Sequence, residues 1–206
     1  MEKILDYLKQ YWKSNSFRPL QKQVIDHYIK GKDTVVMMPT GGGKSVCYQL
    51  PALLKEGQTL VISPLVSLMQ DQVNQLNQRG IKSMFFESHR GENGIYNQLE
   101  NARNGNFKLI YCSPERLMNE AFLQQIEKLT IKGIAIDEAH CISEWGHDFR
   151  PAFKAIKNLR TLFPQIPFMA LTASATPKVL EDIITELGLV DPKVFRDSFE
   201  RQNIRY

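Results

Sequence analysis

Six short apolar runs, each closed by turn residues, divide the chain from Thr34 onward: TVVMM at 34–38, TLVIS at 59–63, KSMFF at 82–86, KLIYC at 108–112, IKGIAI at 131–136 and FMALT at 168–172. Nearly continuous apolarity, rather than strict alternation, is what a strand shows when helices cover both faces of its sheet. Between the runs lie amphipathic stretches at 44–54, 65–78, 94–104, 119–128, 152–163 and 177–187, and Pro177 suits a first helical position because its missing N–H would be unpaired there anyway. Strand and helix in alternation predict an α/β, doubly wound fold, with one mainly parallel, open sheet of six strands.

At 206 residues, 43% hydrophobic and 23% charged, the chain suits a single domain with a sizeable core, which excludes disordered and collagen-like architectures. A net charge of +4 permits a polyanionic partner without requiring one. Cys47, Cys112 and Cys141 are too scattered for a disulfide framework or a CxxC zinc clamp, so a reducing compartment, cytoplasmic or nuclear, is expected. No segment reads as a signal peptide or membrane span. Ahead of the first strand, Ile4, Leu5, Leu8, Tyr11 and Trp12 share one helical face, which predicts an added amphipathic helix within 1–16.

The most specific chemistry follows the first run. MPTGGGKS at 38–45 joins an apolar strand to a helix, the setting of a phosphate-binding loop. Thr40 and the glycines at 41, 42 and 43 let successive backbone N–H groups converge on anionic oxygens, Lys44 suits β- and γ-phosphates, and Ser45 offers a hydroxyl to Mg2+. Met38 stands where the strict GxxxxGK[ST] pattern has its first glycine; the bland alternative is a glycine-rich turn beside a solvated lysine.

IAIDEAH places Asp137 and Glu138 at the carboxyl end of the fifth run, the edge where open α/β sheets bind ligands. Phosphoryl transfer to water needs a metal-bound carboxylate, for which Asp137 is suited, and a base to orient the water, for which Glu138 is suited. Read without these roles, the pair is a polar strand end that caps a turn. His140, in the turn leaving the sheet, is a candidate sensor of the γ-phosphate, although an isolated histidine is more often structural.

PTGGGKS, DEAH and LTASAT (171–176) occur in the order and at the spacings of superfamily 2 helicases. FRPLQ (17–21), SPLVSLMQDQV (63–73), SPERL (113–117) and above all CISEWGHDFRP (141–151) resemble the RecQ family, from about residue 12 to 206. The resemblance implies the N-terminal RecA-like P-loop domain of an ATP-dependent DNA helicase moving 3′ to 5′, with ATP and Mg2+ as cofactors. It also implies single-stranded DNA and duplex/single-strand junctions as partners. By resemblance Gln21 reads the adenine edge and Arg18 packs on its ring. The family usually has an aromatic residue where this chain has Ser14, leaving Tyr11 or Trp12 to compensate, and commonly a lysine where Gln70 stands.

In CISEWGHDFRP, Trp145, His147, Phe149 and Arg150 combine stacking surfaces with a phosphate-neutralising cation, and the resemblance implies a loop that senses single-stranded DNA. The alternative is that the rings seal the core edge. Ser63 and Ser113, at strand ends, are candidate phosphate contacts, and Ser174 and Thr176 are candidates to bond the DEAH segment. Arg150, Lys154, Lys157 and Arg160 recur at helical spacing, either as a basic stripe or as a solvated face.

The expected organisation is one ATP-binding domain over 1–206, monomeric and without a membrane partner, with 199–206 leading to the hinge of a second RecA-like domain. Two other functions remain at this level: a module that holds ATP and single-stranded DNA with little turnover, and a superfamily 2 RNA helicase.

Overall fold

Each of the six apolar runs forms a strand in the computed structural model, which describes residues 2–86 and 92–197. They are β1 (Thr34–Met37), β2 (Gln58–Ile62), β3 (Ser83–Phe85), β4 (Leu109–Cys112), β5 (Ile131–Ile136) and β6 (Phe168–Thr172). A further strand, β7 (Lys193–Arg196), pairs with β1 at the sheet edge. Its sequence, KVFR, carries no apolar run because an edge strand buries little; Phe195 alone is fully inside. Among the described residues the strand order is β3-β4-β2-β5-β6-β1-β7, with every pair parallel.

The helices are α1 (Glu2–Trp12), α2 (Gln21–Ile29), α3 (Lys44–Leu54), α4 (Val66–Gln78), α5 (Glu92–Asn104), α6 (Glu120–Ile126), α7 (Lys157–Leu162) and α8 (Pro177–Glu186). The sequence pattern does not single out α2, whose apolar face is only Val24, Ile25 and Tyr28. The amphipathic stretch at 152–163 is helical by two geometries: a 3-10 turn over Pro151–Ile156 and then α7. That break dissolves the basic stripe. Lys154 pairs with Glu144 at 2.7 Å, and Arg160 turns inward to Asp33 at 2.7 Å.

Side chains alternate across the sheet and divide the core into two layers. Val35, Leu60, Ile110 and Ile134 pack with α5 to α8 through Leu99, Phe122, Leu159 and Ile183. Val36, Val61, Tyr111 and Ala135 pack on the other face with α2 to α4 through Tyr28, Tyr48 and Val73. Outside that second layer lies α1, whose Ile4 and Leu8 are buried against Ile25 and Leu50. The N-terminal helix is thus docked, and burying Leu8 contributes roughly 1.5–3 kcal/mol. Among the described residues no helix is long and apolar enough to cross a membrane. Residues 199–206, expected to reach a hinge, lie outside the described residues.

Asp33 organises the edge of the sheet opposite the glycine loop. Its buried carboxylate accepts from the backbone N–H of Phe168 and of Val190, both at 2.8 Å, and from the Arg160 guanidinium. Asp33→Ala would remove the ion-pair partner of Arg160, whose Nη1 still donates to the Ile166 carbonyl at 3.2 Å, and would leave both N–H groups without this acceptor. A loss of about 3–5 kcal/mol, the range for breaking a buried ion pair, is expected in urea unfolding.

Candidate active site

The carboxyl ends of β1 and β5 converge on one cleft of about 420 Å3 whose walls include Trp12, Ser14, Arg18, Gln21, Thr40, Lys44, Ser45, Asp137 and Glu138. This is the edge at which an open parallel sheet exposes its loops and helix N-termini. At the end of β1 the chain curls through Gly41 (φ +79°) and Gly43 (φ +86°), and Gly42 N–H donates to the Pro39 carbonyl at 2.9 Å. Gly43 is the N-cap of α3, so Lys44 and Ser45 open that helix. The Lys44 ammonium folds back on its own loop, donating to the Met38 carbonyl at 3.0 Å and approaching that of Pro39 at 3.4 Å.

The FRPLQ segment is stitched to the glycine loop. Gln21 is only 3% exposed. Its Nε2 donates to the Gly43 carbonyl at 3.1 Å, and its Oε1 accepts the Arg18 N–H at 2.8 Å. The Arg18 guanidinium in turn donates to the Gly41 carbonyl. Both ends of the Gln21 amide therefore engage this chain's own backbone. Trp12 reaches the cleft wall from α1, with the Arg79 guanidinium 5.7 Å from its ring centroid.

Asp137 and Glu138 leave β5 at the cleft. Asp137 N–H is the last rung to β2, bonded to the Ile62 carbonyl at 2.8 Å, and Asp137 Oδ1 accepts the Glu138 N–H at 3.1 Å. Glu138 sits at φ +49°, a left-handed conformation unusual for a residue with a side chain. Burial first, then the adjacent Glu138 carboxylate, pushes Asp137 up to about 6. Two carboxyl groups thus crowd together with too little positive charge around them, a donor set that a hard divalent cation would relieve.

His140 is buried at the junction of β5, β6 and the following loop. Its Nδ1 lies 3.0 Å from Thr172 Oγ1 and 3.4 Å from Glu138 Oε2. Thr172 gives its own proton to the Ser174 carbonyl at 2.9 Å, so its oxygen is left to accept and Nδ1 carries the imidazole proton. Burial lowers the His140 pKa, keeping the ring neutral near pH 7. Thr172, the last residue of β6, is thus the LTASAT hydroxyl that touches the DEAH turn. Ser174 contributes its carbonyl to Thr172, and Thr176 caps α8 by accepting the Val179 N–H at 3.3 Å. Its position as the final residue of an apolar strand hid Thr172 among core residues.

The loop after DEAH is anchored at both ends. Ser143 donates to Asp182 on α8 at 2.5 Å and accepts the Trp145 N–H at 3.2 Å. Arg150 Nη1 donates to the Pro64 carbonyl at 3.0 Å. Between these anchors the two aromatic rings differ: Trp145 is 75% exposed, whereas Phe149 is half-buried with the Lys154 ammonium over its ring. His147 stacks on His140, centroids 4.4 Å apart. Ser63 and Ser113 are both buried; the Ser63 N–H serves the sheet by donating to the Cys112 carbonyl, and Ser113 precedes a 3-10 turn over Pro114–Met118. Sequence reading also missed a buried polar row beneath Ser45, in which Gln49 donates to Gln72 at 2.7 Å and to the Tyr111 hydroxyl at 3.2 Å.

The sequence model described as DEAD/DEAH box helicase matches residues 18–183. The chain belongs to the DEAD/DEAH box helicase family. It is 47% identical over 205 residues to the ATP-dependent DNA helicase RecQ of Pasteurella multocida, covering 98% of this chain and 32% of that protein. It is 43% identical to the Bacillus subtilis protein of the same name, covering 97% and 34%. The chain spans about a third of the length of these curated relatives. Two solved structures, a hypothetical ATP-dependent RNA helicase from Sulfolobus tokodaii and the DUF1998 helicase MrfA bound to DNA and AMPPNP, superpose with a TM-score of 0.71 each. They are 17% and 19% identical and cover 96% of this chain, with 57% and 29% of their own chains matched. At such identities they establish the RecA-like fold shared by this family of domains.

Gly43 meets a second constraint beyond its positive φ, because a Cβ there would collide with the Gln21 amide, whereas a Cβ on Gly41 would meet open space. Gly41→Ala should therefore cost about 1–2 kcal/mol for the left-handed backbone alone, and Gly43→Ala distinctly more. Repeating the pair in a Gln21→Ala background should shrink the difference, as read by urea unfolding of the four variants.

Proposed function

We propose that this chain is the ATP-binding half of a RecQ-type DNA helicase motor, which couples ATP hydrolysis to 3′ to 5′ movement on single-stranded DNA and to duplex opening. The observation that carries this reading is the single cleft gathering Lys44 and Ser45 on one side and Asp137 and Glu138 on the other, with His140 joining it to the Trp145 loop. The relatives that match nearly the whole chain are named as DNA helicases, which favours DNA over RNA as the track.

In this assignment, ATP phosphates lie against the N–H groups of the glycine loop, and Lys44 exchanges the carbonyls of Met38 and Pro39 for phosphate oxygens. Ser45 and Asp137 hold Mg2+, consistent with the crowded carboxyl groups at the cleft; the ion supplies charge neutralisation at the phosphates. Glu138 orients and deprotonates the attacking water. Gln21 and Arg18 hold adenine by releasing the loop carbonyls they now engage, and Trp12 takes the stacking place that Ser14 lacks.

Trp145, as an exposed ring, stacks on a DNA base, with His147, Phe149 and Arg150 shaping the loop and Ser63 and Ser113 lying under the backbone track. Ser174 and Thr176 support the junction at which Thr172 touches His140. A second RecA-like domain, within the remainder of a protein of the relatives' length, supplies the arginines that stabilise the transferring phosphoryl group. Residues 1–206 alone therefore hydrolyse ATP poorly, since such an arginine is worth about 10³ to 10⁵ in rate. The protein acts inside the cell, on single strands and duplex junctions.

Binding of a fluorescent ATP analogue to this chain tests the cleft. Lys44→Ala should weaken it by about tenfold or more, or about 1.4 kcal/mol; unchanged affinity would remove Lys44 from the site. In the full-length protein Glu138→Gln should retain ATP binding and lose about 10²- to 10⁴-fold in hydrolysis. Trp145→Ala should reduce DNA-stimulated ATPase far more than basal ATPase, through loss of a stacking contact worth about 1–3 kcal/mol. An equal fall in both would make the ring structural.

A further inference from the structure

We propose that His140, Cys141 and Asp148 form a binding site for a thiophilic divalent ion of the zinc class, at the junction of the DEAH turn and the Trp145 loop. Cys141 Sγ lies 3.8 Å from His140 Nε2 and 3.7 Å from Asp148 Oδ2, and the donor atoms of all three residues lie within 4.8 Å of one another. A tetrahedral zinc ion, with Zn–S near 2.3 Å and Zn–N or Zn–O near 2.0 Å, sets its ligands about 3.5 Å apart. The two short edges of this triangle need to contract by only a few tenths of an ångström to receive it.

The surroundings already orient the donors as a metal site does. A ligating histidine usually donates its other ring N–H to an oxygen, which fixes the tautomer and the ring plane. Here Nδ1–H is given to Thr172 Oγ1, so the Nε2 lone pair faces the sulfur. The parallel stack with His147, interplanar angle 16°, holds the same ring from its face. On the opposite side, Arg150 Nη2 lies 3.4 Å from Asp148 Oδ2 while its Nη1 is tied to the Pro64 carbonyl. Cys141 and His140 are buried and Asp148 is exposed, so the triangle opens to solvent on the carboxylate side, where water can complete the coordination.

Chemistry separates this place from the nucleotide cleft. A thiolate with an imidazole selects zinc-class ions, while magnesium prefers oxygen donors throughout. Binding replaces the thiol proton, which Cys141 directs at the Asp148 carboxylate, and releases it to solvent; no electron moves. An ion held here bridges the DEAH turn to the loop and restrains their relative movement. The site itself stands on the donor geometry and does not depend on the proposed ATPase reading.

Cobalt(II) serves as the probe, because thiolate ligation produces a charge-transfer absorption that oxygen ligation does not. Titration of the purified chain should give one equivalent of this band, displaced by Zn2+ and unaffected by excess Mg2+. Cys141→Ser should abolish it. Asp148→Asn, at an exposed position where folding is not at stake, should weaken cobalt affinity by about tenfold or more, with the melting temperature of the metal-free chain unchanged. Asp137→Asn should leave the band in place. Absence of the band in the wild-type chain, persistence in Cys141→Ser, unaltered affinity in Asp148→Asn, or loss on Asp137→Asn would each overturn the proposal.

Discussion

One buried amide, that of Gln21, holds the glycine loop in its present shape. Its Nε2 faces the Gly43 carbonyl and its Oε1 the Arg18 N–H, so a side chain on α2 closes a ring of hydrogen bonds around residues far ahead of it in the chain. A buried amide with both ends satisfied is stable, and each end left empty would cost about 1–3 kcal/mol. One consequence follows at once: a Cβ at position 43 would collide with this amide. The Lys44 ammonium, at the cleft wall, rests separately on the Met38 carbonyl.

His140 is the second joint. One hydrogen bond ties it to Thr172 at the end of β6, one stacked ring ties it to His147, and its own backbone continues from the strained Glu138. His140 thus connects the carboxyl ends of two strands to the Trp145 loop. Ser143, bonded to Asp182, extends the same connection to α8. The loop is held at its base by Ser143 and exposes Trp145 to solvent.

Much of this was readable in the order of residues. Continuous apolar runs are hard to place anywhere except in a covered parallel sheet, and a glycine cluster between strand and helix has few physical uses, so β1 to β6 and the 38–45 loop stood out. What escaped notice had weak local signals. The edge strand β7 needs only Phe195 inside, α2 carries a narrow apolar face, and Thr172 sits within an apolar run that disguises a hydroxyl with a specific partner. The periodic cations at 150–160 read either as a basic stripe or as a solvated helix face, because spacing alone does not reveal a 3-10 turn or the pull of Asp33 on Arg160.

The sequence by itself determined the fold class, the sheet's buried strands, the loop chemistry and the order of the motifs, because each depends on patterns only a few residues long. Tertiary structure alone decided which groups meet. Gln21 turned to Gly43 and not outward, Thr172 and not Ser174 reached His140, and Cys141 came between an imidazole and a carboxylate. The physical reason is that hydrogen-bond and ligand partners are set by angles and distances of tenths of an ångström between segments distant in the chain, and those exist only once the two core layers have packed.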